Sequence, residues 1–308
     1  MDNVIDFEHE RTAAGDYIVR GVAGDGQIRA FAITARESVQ EASTRHHTSP
    51  VATAALGRLL MAGQMMGWMF KNPDELITLT LEGDGPLCPV TVTADSTGRA
   101  KGYVAHPNVW LDLNSKRKLD VGVAVGSGML LVVRDQPGIE PYSSRVELVS
   151  GEIGDDLVHY FVTSDQVPTT VGLGVLVDRD LSVRQAGGFI IQLMPHYDDE
   201  VVDRLEQNLA GVSSVTDMLE QGMTPEAMLE RLLAGLDPIM LETTPASFYC
   251  GCNAKRAQRA VLALGASEIK DMIEKNEPAE VYCHFCGDRY EFTPDELSAM
   301  LGFDQQLS

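Results

Sequence analysis

Along this chain of 308 residues the apolar positions follow two periods, and the change from one to the other divides it. Ile77, Leu79 and Leu81 alternate with Thr78 and Thr80; after G-D-G-P, Val90 and Val92 alternate with Thr91 and Thr93. Apolar side chains on one face and threonines on the other predict a hairpin with one buried face. Strand patterns recur at 16–19 and 27–34 around Gly24-Asp25-Gly26, at 129–133, at 145–149, and on both sides of Asp178-Arg179-Asp180. Among them stands one helix. Ser49 is suited to the N-cap and Pro50 to the first helical position. Leu56, Leu59, Leu60, Met65, Met66 and Met69 then make it apolar almost all round, so it belongs inside the sheets.

After Pro195 the strand patterns stop and acid accumulates, with eleven acids between 198 and 242 against Arg204 and Arg231. Leu205, Leu209, Val212, Val215 and Leu219 fall at helical spacing. After Gly222 a second helix is predicted, with Thr224 as cap, Pro225 in its first turn, and Met228, Leu229, Leu232, Leu233 and Leu236 on one face. Like charges repel along both helices, so their stability must come from packing the apolar stripe. Residues 254–264 and 267–275 read as helices joined at Gly265; Val281-Tyr282 and Tyr290 to Phe292 read as short strands, and T-P-D-E at 293–296 as a capping box opening a last helix. The fold class is α+β: an N-terminal mixed sheet-and-helix domain (1–195) with a buried central helix, an acidic helical linker (196–244), and a small C-terminal domain (245–308). A unit of that last size needs a staple besides its apolar core.

A formal net charge of −21 argues against nucleic acid and against anionic membrane surfaces as partners. The most apolar long stretch, 51–70, carries Arg58 and Gln64 in its middle, which suits a core helix rather than a membrane span. The opening M-D-N-V-I-D-F-E-H-E lacks the basic and apolar regions of a secretory signal, so a cytoplasmic location is expected. In that compartment an odd count of five cysteines points to metal or redox chemistry.

Four of the five form two close pairs, Cys250/Cys252 and Cys283/Cys286, with one longer loop between them, a spacing that suits tetrahedral zinc. C-H-F-C-G between short strands reads as a knuckle whose amides can donate to the sulfurs. A closed four-thiolate site has no open position, so it is not a hydrolytic centre. A purely structural finger is one reading. The other is a reversible sensor, because a bond across Cys-x-Cys closes a very small ring, eased by Gly251, and is easily reduced. A thioredoxin-like use of C-H-F-C would require a helix after it, where this chain has a strand pattern. His284 has no vacancy to fill beside four cysteines, His46-His47 suit a polar loop, and Cys88 suits a small buried hydrophobe. Met61, Met65, Met66 and Met69 read as core, and the common enzyme motifs are missing.

C-G-C, followed by A-L-G and V-Y-C-H-F-C-G-D-R-Y-E-F, resembles the zinc end of the redox-regulated 33-kDa heat-shock chaperone family of bacteria. The blocks S-P-V-A-T-A-A-L-G-R-L-L, G-D-G-P-L, G-Y-V-A-H-P, V-E-L-V-S-G-E-I-G-D-D-L and A-G-G-F-I-I-Q-L-M-P are similar to that family's, in its order; Cys88 departs from it, standing where glycine is expected. The resemblance implies a non-enzymatic, ATP-independent holdase for unfolding client proteins. It implies zinc on Cys250, Cys252, Cys283 and Cys286 in a reduced, inactive state. It further implies activation by oxidation to Cys250–Cys252 and Cys283–Cys286 disulfides with zinc release, and a homodimer through the N-terminal domain when oxidised. The alternatives are a constitutive zinc-stabilised adaptor and a thiol-disulfide oxidoreductase.

Overall fold

Glycine and aspartate in succession turn the chain where its first two strands meet. β1 (Tyr17–Ala23) and β2 (Ile28–Thr34) pair antiparallel around Gly24, Asp25 and Gly26, all three at positive φ. The computed structural model describes residues 15–304 apart from 71, 73 and 213, so the acidic opening stretch and its reading as a non-secretory start lie outside the described residues.

α1 (Arg36–His46) follows, a helix that no apolar period announces. Its start is held from a distance: the Asp16 carboxylate accepts from the Ser38 N–H at 2.6 Å, the Ser38 hydroxyl at 2.8 Å and the Glu37 N–H at 3.1 Å. Burial pushes the Asp16 carboxyl up, and those donors pull it back only in part. α2 (Pro50–Gly67) is the expected central helix, buried on every side except around Pro50 and Arg58. Ser49 has the extended backbone of an N-cap, but its side chain makes no capping bond and its hydroxyl is buried without a partner. The cap is therefore positional, and the expected side-chain bond is absent.

The expected hairpin is β3 (Leu76–Gly83) with β4 (Val90–Asp95), Ile77 opposite Ala94 and Leu79 opposite Val92 on the buried face. Threonines line the other face, where Thr78 and Thr93 are hydrogen-bonded at 2.9 Å. β5 (Arg99–Val104), the short α3 (Val121–Val125), β6 (Gly128–Asp135) and β7 (Tyr142–Glu147) follow. α4 (Ile153–Tyr160) runs into a π turn at Phe161–Asp165, and β8 (Thr169–Val177) and β9 (Val183–Leu193) are the arms around Asp178-Arg179-Asp180.

The acidic stretch carries three helices, not two: α5 (Asp199–Ala210), α6 (Val215–Glu220) and α7 (Pro225–Leu232). The helical spacing that ran from Leu205 to Leu219 is broken before Ser214, whose hydroxyl accepts from the Asp217 N–H at 3.0 Å and caps a new helix. Strands also resume, against expectation, in β10 (Ile239–Pro245) and β11 (Ser247–Phe248). Both lie at sheet edges, and β10 is largely exposed, so no apolar alternation marks it.

Two sheets result, ordered β10-β1-β2-β9-β8 and β11-β5-β4-β3-β6-β7. α2 lies between them, packed on β8 and β9 of one and on β3, β4 and β5 of the other. Leu56, Leu59, Leu60, Met61, Met65 and Met66 fill the space between, as their pattern required. The outer face of the five-stranded sheet presents Val19, Ala30, Ala32 and Ile191, and it is covered by Leu205, Met218, Leu229, Leu232 and Leu233 from the acidic helices. Those helices thus owe their place to packing, as the charge along them demands.

The chain divides into two compact units, Met1–Tyr249 and Cys250–Ser308. The second holds α8 (Ala254–Leu262), α9 (Ala266–Glu274), the hairpin β12 (Ala279–Tyr282) with β13 (Arg289–Phe292), and α10 (Pro294–Asp304). The capping box forms as read: the Glu296 carboxylate accepts from the Thr293 N–H at 2.8 Å, and the Thr293 hydroxyl accepts from the Glu296 N–H at 3.4 Å. A small core of Val261, Ile269, Phe292 and Leu297 joins these elements. Among the described residues no helix is long and apolar enough to cross a membrane.

Candidate metal centre

Two different local devices bring the cysteines of the smaller unit together. Cys283 and Cys286 ride on the turn between β12 and β13. There the Cys283 N–H donates to the Asp288 carbonyl at 2.9 Å and the Gly287 N–H to the Cys283 carbonyl at 2.8 Å, with Gly287 at φ 75°. The hairpin is braced by Arg289, which pairs with Glu280 across the strands. Cys250 and Cys252 lie in a stretch without regular structure that ends at Asn253, whose side chain accepts from the Arg256 N–H at 3.0 Å and starts α8. The cap fixes the chain one residue beyond Cys252.

All four sulfurs lie within 4.8 Å of one another, Cys250 and Cys283 at 3.6 Å, Cys252 and Cys286 at 3.2 Å. Four thiolates around zinc at about 2.3 Å stand about 3.8 Å apart along each edge of the tetrahedron. The arrangement fits such an ion, and four soft sulfur donors suit zinc over harder cations. Cys286 is buried and the other three are half-buried. Burial pushes the Cys250 and Cys286 thiols up. For Cys283, burial acts upward as well, but donation from the Cys286 thiol and the Phe285 N–H outweighs it and leaves the group lowered. The amide donation expected of a knuckle is thus present, and a divalent ion would tip the whole set to thiolate.

Sequence reasoning passed over two neighbours. The Tyr290 hydroxyl donates to the Cys252 sulfur at 3.2 Å, and the Asp288 Oδ2 lies 3.6 Å from the same sulfur. Tyr290 had registered only as a strand residue. Its place in the alternation with Phe292, which sets both on one face of β13, was the available signal. The sulfur bond pushes the Tyr290 phenol up, so it keeps its proton.

The other residues singled out earlier stand apart from the centre. His284 is exposed and outside the sulfur group. His46 ends α1, and His47 follows it in a left-handed turn. Cys88 is buried, its sulfur 3.4 Å from the Val125 carbonyl, and burial raises its thiol, which fits the reading as a small hydrophobe.

An α+β architecture with a central helix between two sheets, ending in a compact four-cysteine unit, defines the class. Comparison with known proteins then supplies the family. The Hsp33 protein family matches residues 16–293. The 33 kDa chaperonin of Agathobacter rectalis is 50% identical over 285 residues, covering 92% of this chain and 99% of that one. The 33 kDa chaperonin of Bacillus subtilis is 46% identical over 286 residues, covering 92% and 98%. The crystal structure of the 33 kDa chaperonin from Thermotoga maritima superposes with a TM-score of 0.87 at 38% identity, covering 94% of this chain and 99% of that one. The chain belongs to the Hsp33 family of chaperones.

Proposed function

We propose that this protein is a redox-regulated, ATP-independent holdase. In this reading it is zinc-bound and inactive when reduced, and is switched on by oxidation of Cys250, Cys252, Cys283 and Cys286 to two disulfides with loss of the metal. The observation that carries the reading is the gathering of four thiol sulfurs within 4.8 Å of one another. Membership of a chaperone family supports the holding activity, and thiol chemistry supports the switch.

When bound, zinc supplies the positive charge that keeps the four sulfurs as thiolates in one place. One thiolate attacks the O–O bond of hydrogen peroxide, takes one oxygen as a sulfenic acid and releases hydroxide. Its neighbour then attacks that sulfur, forms the S–S bond and expels the oxygen as hydroxide. Each disulfide thus passes two electrons to one peroxide. The pairings Cys250–Cys252 and Cys283–Cys286 each join neighbours along the chain, so neither ties one half of the unit to the other as the metal does. Structural zinc is worth on the order of 10 kcal/mol to units of this size. The core around Val261 and Phe292 is too small to replace it, and residues 250–308 unfold.

Clients are proteins losing their fold, held through apolar surface. An apolar face of the five-stranded sheet lies beneath α5, α6 and α7, acid-rich helices seated on it chiefly by packing. Displacement of those helices bares Val19, Ala30, Ala32 and Ile191 for a client. The oxidised form pairs with a second copy through residues 1–195, and the protein acts in the cytoplasm.

Light scattering from a heat-unfolding client tests the reading. Suppression by the peroxide-oxidised form alone, reversed by a thiol reductant, is the expected result. Equal suppression by the reduced, zinc-loaded form leaves a chaperone without a switch, and no suppression by either form leaves a zinc-stabilised adaptor.

A further inference from the structure

α7 is bracketed by two methionines, Met223 one residue before its cap and Met240 in β10. Both are half-buried, and both pack against the apolar cluster that joins the acidic helices to the outer face of the five-stranded sheet. Met61, Met65 and Met66 of α2 are by contrast shut inside the core, and Met218 and Met228 are fully covered within the cluster itself. A thioether is oxidised through its sulfur lone pair, so on this face the half-buried pair is what an oxidant in solution reaches first.

Met240 stands at a weak point of the pairing. Arg20 is opposite Glu242 and Gly21 is opposite Met240, so the register between β1 and β10 skips Leu241. Gly21 has no side chain, and the Met240 sulfur takes up the space: a methyl group built on Gly21 would lie 3.2 Å from it. Across from Gly21 on β2 is Ala30, part of the covered apolar face. An oxygen added to that sulfur sets a polar, bulkier group between bare backbone and an apolar rim. Met223 closes the other end of the seat. Its N–H donates to the Met218 carbonyl at 3.2 Å, and the next residue, Thr224, caps α7. Helices so rich in like charge have little to hold them once that packing is spoiled.

We propose that Met223 and Met240 are modification sites, oxidised by hypochlorous acid to sulfoxides that unseat α7 and bare the apolar face without any change at the cysteines. The thioether sulfur attacks hypochlorous acid at chlorine and releases hydroxide; water then displaces chloride from the sulfur and loses two protons. In sum one thioether and one hypochlorous acid give one sulfoxide, one chloride and one proton, with two electrons passing from sulfur to chlorine. Methionine sulfoxide is returned to the thioether by dedicated reductases, so the step is reversible. The inference rests on the holding activity proposed above only for what the bared face then binds.

The test treats the full chain with hypochlorous acid and then with a thiol reductant and zinc, which reverse disulfides and leave sulfoxides in place. Peptide mass spectrometry reads the sulfoxides, and a dye that fluoresces on apolar surface reads the bared face. Fluorescence is expected to stay raised in the parent after reduction and to return to the untreated value on treatment with methionine sulfoxide reductases. Met223→Leu combined with Met240→Leu keeps the volume and removes both sulfurs, so this double variant is expected to lose the persistent rise. Met129→Leu, a change on β6 of the other sheet, is expected to keep it. As oxidant is increased, sulfoxide is expected at 223 and 240 before 218 and 228. A persistent rise of equal size in the double variant, a rise that survives the reductases, or oxidation of Met228 ahead of Met240 overturns the inference. The cysteine switch is read separately, as zinc release before the reductant is added: its absence sinks the redox reading, and the methionine result is still decided by the double variant and the reductases.

Discussion

Arg58, in the middle of the buried helix α2, reaches across to pair with Glu152, the residue that precedes α4. Ninety-four positions separate them in the chain. The pair explains how so apolar a helix tolerates a cation, and it predicts an asymmetry. The Arg58 side chain is 17% exposed and that of Glu152 38%, so only the acid reaches water when left alone. Glu152→Gln is expected to destabilise by about 2 kcal/mol, and Arg58→Met by less than about 1 kcal/mol. Urea titration read by tryptophan fluorescence measures this, since Trp68 and Trp110 both lie in the larger unit.

Gly57 lies one residue earlier on the same helix, and a methyl group there would meet Val39 Cγ1 at 2.6 Å and Val175 Cγ2 at 3.0 Å. Alanine is favoured over glycine inside a helix by about 1 kcal/mol. Here both obstacles are β-branched and stiff, so overpacking exceeds that gain. Gly57→Ala is expected to lower the midpoint of the same titration; a raised midpoint would show that α2 has room to shift.

Asp156 supplies a prediction about pH. Its Oδ1 accepts from the Val149 and Ser150 N–H groups at 2.8 and 3.1 Å, while Oδ2 is buried without a partner. Burial raises this carboxyl above its ordinary value of 3.8, and the N–H groups of Ser150, Val149 and Gly151 lower it only in part. The folded chain therefore holds the proton to higher pH than the unfolded chain does, and stability is lost as pH rises through the folded-state value. Asparagine imitates the protonated form. Asp156→Asn is expected to be more stable than the parent at pH 8, with the advantage shrinking as pH falls toward 4; urea midpoints across that range are the check.

The five cysteines are expected to separate into two classes on labelling. In the native, zinc-loaded protein Cys88 resists iodoacetamide, because it is buried and its thiol is raised. Chelation opens the other four. Cys283→Ser is expected to abolish stoichiometric zinc and to make residues 250–308 protease-sensitive while the larger unit stays resistant. Cys88→Ala is expected to keep the metal. Labelling of Cys88 at the rate of the other four would contradict its placement.

Legibility in the sequence followed burial on one face. β3 and β4 announced themselves because Ile77, Leu79 and Val92 face a core while Thr78, Thr80 and Thr93 do not. α2 did so because both sheets press on it. α1 and β10 stayed hidden for the same physical reason in reverse: one is a polar helix tethered by the distant Asp16, the other an exposed edge paired with a strand more than two hundred residues earlier. The sulfur site was readable from spacing, since Cys-x-Cys and Cys-x-x-Cys bring their own geometry. The hydroxyl on Cys252 was not, because it depends on which face of β13 meets the sulfur.

β10 and β11 are separated by Ala246 alone, yet they belong to different sheets. Along these few residues the chain is stitched first to β1, then through the Ala246 N–H to the Asp16 carbonyl at 2.9 Å, then to β5, ending with the Tyr249 N–H on the Ala100 carbonyl at 2.8 Å. Cys250 is the next residue. This is a zip fastener whose slider sits at the four-cysteine cluster: tension or fraying that started at Cys250 would open the two-residue tooth of β11 before the longer run of β10. Because both strands are outermost, each can leave without breaking any pairing among the strands that remain. Its complete opening would turn β1 from an interior strand into a bare edge, offering backbone donors and acceptors to any extended chain that arrives.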